Sequence, residues 1–265
     1  MIAAVVAVMG VGLPRWDAAI AGGPWPKYVL GAFAALIAYG VYGLTGFGSA
    51  IVAVPLLTEV FDLRTVIPTV LVLDLCSGVF VGVRSFRIVA HKELARLAPS
   101  LLTGLFLGAR LLVGVPQRPL LLALGLFLVA YAVGKLRSRV ALRPMSAIWA
   151  APLGFLGGSF SALFGVGGPF FVLYLARRIP NLRQLRATIS SVTVLSGLAR
   201  LAIFIGLGLY RKPVVLPLAS MLLPFAMGGL ALGTHAHRRL APARVLRLVW
   251  TLLILSGLTL LARNV

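Results

Sequence analysis

The sequence predicts an all-α polytopic membrane protein made of two inverted repeats, each a broken helical hairpin followed by three transmembrane helices. Three observations predict it: an apolar, charge-poor composition, two long apolar segments interrupted by glycine clusters, and a match between those two segments along the chain. Of the 265 residues, 60% are hydrophobic and only 11% charged, with a mean hydropathy of +1.05. A soluble domain carries about 25% charged residues, and disordered chains are apolar-poor, so both classes are excluded. The formal charge is +20, from 25 Lys and Arg against five acids. In a soluble protein this would suggest nucleic-acid binding. Here the cations sit between apolar runs and read as membrane-loop charges, so no nucleic-acid partner is expected. The single cysteine, Cys76, supplies neither a disulfide nor a thiolate metal site; no cofactor or metal is expected.

A bilayer core of about 30 Å needs roughly 20 helical residues. Six runs fit one span each: 65–83, 97–115, 119–134, 187–209, 213–233 and 245–262. Two others, 28–60 and 146–178, are too long for one helix and too short for two full ones. Each carries a glycine cluster, Gly43-Leu44-Thr45-Gly46-Phe47-Gly48 and Gly165-Val166-Gly167-Gly168-Pro169. Glycine costs about 1 kcal/mol in a helix interior and proline about 3, so both segments read as two short legs broken at the glycines.

An offset of 119 aligns 43–78 with 162–197 without a gap, with nine of 36 positions identical. They include Gly46/Gly165, Gly48/Gly167, Thr69/Thr188 and Ser77/Ser196. Gly104–Gly108 likewise resembles Gly229–Gly233. This is the signature of a tandem duplication. It divides the chain into a tail (1–27), repeat 1 (28–134), a basic linker (135–145) and repeat 2 (146–262). The apolar stretch 2–13 is about half a span with no basic residue before it, so an uncleaved interfacial tail is expected.

Loop charges choose between topologies. If each broken segment crosses once, the sides carry 13 and 11 cations. If each is a hairpin with both ends on one side, the counts become 16 and eight. Cytoplasmic loops carry the excess of Lys and Arg, which favours hairpins, inverted repeats and extracytoplasmic termini in a bacterial or archaeal cell membrane.

Few residues carry chemistry at membrane depth. A broken helix exposes N–H groups at the start of its second leg, where the dipole favours an anion, and transporters place such breaks at matched positions of two repeats. Gly46, Phe47, Gly48 and Ser49 in the first break, and Gly165, Gly167 and Gly168 in the second, are the candidate anion cradle; close helix packing is the alternative reading of the glycines. Asp74 is the only acid inside a predicted span. It reads as a proton-coupling or counter-ion group, or as a buried structural donor. Arg200 lies about 13 Å deep, and its guanidinium fork suits Asp74 or a bound oxyanion. Thr69, Ser77, Thr188 and Ser196 are hydroxyls paired by the repeat. Glu59, Asp62 and Glu93 are expected in solvated loops, and His235 and His237 lack the neighbours of a metal site.

Two stretches carry a family resemblance: Gly43-Leu44-Thr45-Gly46-Phe47-Gly48-Ser49-Ala50-Ile51-Val52-Ala53-Val54-Pro55-Leu56-Leu57 and Gly157-Gly158-Ser159-Phe160-Ser161-Ala162-Leu163-Phe164-Gly165-Val166-Gly167-Gly168-Pro169-Phe170-Phe171. With Gly104-Leu105-Phe106-Leu107-Gly108-Ala109-Arg110, the chain resembles the sulfite exporter TauE/SafE family over about residues 30–262. Its first copy departs from the family pattern in having Ser49 after Gly48. The resemblance implies a permease for sulfite, an organosulfonate or another small organic anion, often an exporter. It assigns no role to Asp74 or Arg200.

A lipid-phosphate enzyme would need clustered intramembrane carboxylates, and one acid does not make an acid/base pair. A passive anion channel remains open at this stage, as do the anion, the coupling ion and the oligomeric state. The topology predicts that a reporter fused at Val265 and active only in the cytoplasm stays silent.

Overall fold

The computed structural model describes residues 25–45, 48–81, 88–137, 144–236 and 242–264. Ten α-helices occupy them: α1 Trp25–Thr45, α2 Ser49–Thr58, α3 Leu63–Val81, α4 His91–Gly114, α5 Gln117–Arg137, α6 Ala150–Phe164, α7 Gly168–Leu175, α8 Leu182–Gly206, α9 Val215–Ala236 and α10 Pro242–Asn264. Short 3₁₀ turns at Ala147–Trp149 and Leu209–Arg211 precede α6 and α9. No strand occurs among the described residues, as a bilayer demands of an open chain whose backbone must satisfy its own hydrogen bonds.

Six helices among the described residues are long and apolar enough to cross a membrane, including Pro26–Leu44 and Ala147–Phe164. The two broken segments therefore differ from the expectation of two short legs. Their first legs are long, while α2 has 10 residues and α7 eight. The glycines fall late in each segment, so the break leaves only a short return leg.

The chemistry of the second break explains its position. Gly165 adopts φ 72° and ends α6, its N–H bonding the Ser161 carbonyl at 2.9 Å while Val166 N–H bonds Phe160 at 3.2 Å. This is a left-handed glycine cap, which a side chain would strain. Pro169 then suits the first turn of α7, where its missing N–H costs nothing.

Each broken segment closes as a hairpin. Tyr28 near the start of α1 packs on Phe61 beyond the end of α2, ring centroids 5.9 Å apart. Arg178 beyond α7 donates to the Met145 carbonyl ahead of α6 at 3.3 Å. Lys212–Asp62 (3.4 Å), Arg178–Glu93 (2.9 Å) and Arg263–Glu59 are ion pairs. All five contacts join residues that single crossings would put on opposite faces.

The halves exchange partners. α4 of the first half packs along α6 of the second, α9 of the second along α1 of the first, and α5 pairs with α10. Glycines allow these approaches. A Cβ on Gly104 would strike the Phe155 carbonyl and Ser159 N–H; one on Gly229 would strike the Leu36 carbonyl and Gly40 N–H. Phe155 and Ser159 stand at the repeat offset of 119 from Leu36 and Gly40. The two interfaces thus use registers matched by the same 119-residue offset. Gly229→Ala should lower thermal stability by about 1–3 kcal/mol through overpacking. Gly228→Ala, whose Cβ meets nothing within 4 Å, should leave it unchanged or raise it; melting of the purified protein in detergent compares the two.

Candidate functional site

Asp74 lies about 17 Å along α3 from its start. An acid at such depth must find partners within the protein. It finds two hydroxyls on its own half. Tyr39 Oη on α1 and Ser49 Oγ at the first residue of α2 each donate to Oδ1 at 2.8 Å. The hairpin makes this meeting: α2 runs back beside α3, so its N-terminus reaches the level of Asp74. The other oxygen, Oδ2, faces Arg200 Nη2 of α8 at 4.0 Å.

Arg200 is 5% exposed. Its Nη1 donates to the Ser161 carbonyl at 2.5 Å, in the last turn of α6, where that oxygen also accepts the Gly165 N–H. Its Nε is buried without a partner. Ser161 Oγ and Ser196 Oγ lie 2.9 Å apart. A Cβ on Gly165 would sit 2.8 Å from Ala50 Cβ and 3.5 Å from Arg200 Nη1. The two breaks therefore meet, and one carboxylate and one guanidinium from different halves meet there with them. Asp74 and Arg200 are not repeat equivalents: the offset places Thr193 opposite Asp74 and Val81 opposite Arg200.

The sulfite exporter TauE/SafE family model matches residues 31–260. The chain belongs to this family. Probable inner membrane transporter protein TsaS of Comamonas testosteroni is 28% identical over 193 residues, covering 72% of this chain and 80% of that protein. No solved structure matches the chain. Family membership and the apolar helices make it a multi-pass membrane transporter.

In this TauE/SafE protein the sequence-derived candidates divide. Gly48, Ser49, Asp74, Gly165, Ser196 and Arg200 lie at or beside the meeting of the breaks. Gly46 and Phe47 lie outside the described residues. Gly48 caps α2 at φ 89°. Its repeat partner Gly167 has φ −81° and is required by packing, since a Cβ there would lie 2.5 Å from the Gly157 carbonyl. Gly168 is exposed, with nothing within 4 Å of a Cβ. Ser77, one turn beyond Asp74, is buried with no partner for its hydroxyl. Thr69 and Thr188 are engaged elsewhere. Thr69 Oγ1 donates to Thr65 (2.8 Å) and Val215 (3.4 Å) carbonyls; Thr188 Oγ1 donates to Gln184 at 2.8 Å and accepts from Ala90 N–H at 3.0 Å. Each threonine ties its own half to the start of a helix in the other.

Two partners escape sequence reasoning. Tyr39 stands 35 residues from Asp74 with no motif linking them, and Ser161 acts through its backbone carbonyl, which no residue type advertises. Glu93 corrects an expectation: it is not a solvated loop acid. α4 starts six residues earlier than the predicted span, placing Glu93 in the first turn, where the dipole favours an acid. Only 9% exposed, it accepts from Tyr174 Oη at 2.5 Å, Arg178 Nη2 at 2.9 Å and Arg96 Nη1 at 2.8 Å. Donation to the Glu93 carboxylate holds the pKa of the Arg178 guanidinium above its ordinary value.

Hydrogen bonds to charged groups are worth about 1.5–3 kcal/mol. Arg200→Ala is expected to cut transport about tenfold or more, whereas the exposed Arg118→Ala stays near wild type; initial rates at matched protein levels make the comparison.

Proposed function

We propose that this protein is a secondary transporter that exports a small sulfur-containing oxyanion, sulfite or an organosulfonate, across the cytoplasmic membrane. The observation that carries the reading is Arg200: a buried guanidinium whose Nε has no partner among the described residues, at the point where two helix breaks meet. A planar fork of this kind suits an oxyanion with two or more equivalent oxygens. Substrate contacts come from Gly46, Phe47, Gly48 and Ser49 on one side and Gly165, Gly167, Gly168, Ser196 and Arg200 on the other, with the Ser77 hydroxyl beside them and Asp74 as the resident counter-ion. Thr69 and Thr188 contribute by joining the halves that must move.

The two repeats are inverted relative to each other, and transport proceeds by one rocking against the other around the fixed site. The exchange of packing partners between halves supports this, because each half then grips the other through two like interfaces. The face carrying Glu93, Met145 and Arg178 is cytoplasmic, following the excess of cations in the loops assigned to that side. Sulfur-oxyanion chemistry follows from the family's name, and the cytoplasmic membrane from the relative's description as an inner membrane transporter.

The test is counterflow in proteoliposomes against sulfite, thiosulfate, methanesulfonate and acetate. Sulfur oxyanions should exchange with a preloaded pool and acetate weakly. Absence of movement for every anion would overturn the assignment, and flux without saturation would favour a channel.

A further inference from the structure

The two oxygens of Asp74 have different surroundings. Oδ1 takes both hydroxyl bonds, from Tyr39 and Ser49 at 2.8 Å. Oδ2 faces Arg200 Nη2 at 4.0 Å, beyond hydrogen-bond range, and no hydrogen bond reaches it among the described residues. Arg200 mirrors this division. Nη1 is committed to the Ser161 carbonyl, Nε has no partner, and Nη2 has no acceptor within hydrogen-bond range among the described residues. Nε and Nη2 form the edge of a guanidinium that grips two oxygens of one anion. The tightest available bonds of both ions are thus spent on anchoring them, while the facing atoms hold only a loose contact.

We infer that Asp74 is a tethered competitor for the substrate's place on Arg200, so that loading an oxyanion loads a proton with it. This rests on the oxyanion-transport reading above. The anion's oxygens accept from Nε–H and Nη2–H, Asp74 Oδ2 loses its cation, and it takes a proton from water, while Oδ1 keeps its two hydroxyl donors. Were Asp74 to stay ionised, two anions would face one guanidinium inside an apolar slab, an arrangement strongly disfavoured without water. With the proton, the loaded site has the same net charge as the empty one, and both states can cross between access conformations. Among the described residues Asp74 is the only carboxyl group at the site. The groups facing it are Tyr39 and Tyr42 from α1, Ser49 from α2 and Arg200 from α8; Tyr210, whose hydroxyl bonds the Pro68 carbonyl of α3 at 3.2 Å, faces Arg200.

Methanesulfonate is the probe, because it keeps one negative charge across the working pH range and any proton taken up belongs to the protein. Binding to the purified full chain in weakly buffered detergent should take up about one proton per anion, and affinity should rise about tenfold per unit fall in pH while Asp74 is ionised in the empty site. Asp74→Asn should bind the anion without proton uptake and with a flat pH profile. Wild-type binding without proton uptake would overturn the inference and leave the transport reading standing, a result that does not depend on the variant folding. Failure of wild type to bind methanesulfonate and sulfite alike would overturn both.

Discussion

A charge at membrane depth must be satisfied chiefly by the protein around it, and Asp74 and Arg200 rely on each other and on the groups the fold brings to them. Neither finds its anchors on its own helix. Asp74 needs Tyr39 and Ser49 from the two legs of the first hairpin; Arg200 needs the Ser161 carbonyl in the last turn before the second hairpin breaks. Satisfying these two charges therefore requires both breaks to lie at one depth and to touch. The close approach of Gly165 to Ala50 is the backbone expression of that requirement.

The exchange of partners between halves makes the contact durable. Were each half to pack only on itself, the breaks would meet across a single surface. Instead α4 lies on α6 and α9 on α1, through glycines whose backbones come within van der Waals range of the facing helix. Side chains cannot drive this association hydrophobically, since lipid tails are as apolar as leucine. Small residues that permit close packing take over that role. Thr69 and Thr188, matched by the repeat, add hydrogen bonds from each half to the opening turn of a helix in the other.

Within this near-symmetric frame the chemistry is one-sided. The start of α2 already has a carboxylate against it, held by Ser49, where the second copy has Gly168 and open space. The first break thus carries its own anion, and among the described residues no carboxylate is hydrogen-bonded at the start of α7. The residues that distinguish the two matched segments, Asp74, Arg200 and Ser49 against Gly168, give the meeting of the breaks its polar character.

Much of the fold was legible along the chain, because the bilayer imposes a length and a polarity on every span and glycine and proline report where a helix ends. The internal repeat, the breaks at Gly48 and Gly165, and the isolation of Asp74 and Arg200 as charges within apolar spans all follow from residue types and spacing. Hairpins rather than single crossings could be read from the balance of loop cations. Spacing could not show that the legs are unequal, that Glu93 is buried between Tyr174 and Arg178, that Tyr39 reaches Asp74, or that Thr69 and Thr188 serve the packing. Those outcomes depend on which helix faces which, and in an apolar chain many faces are chemically alike. Only the three-dimensional fit of glycine surfaces selects among them. The sequence by itself determined that two charges must be satisfied at depth; the tertiary structure decided how, by bringing the ends of two broken helices to the same place.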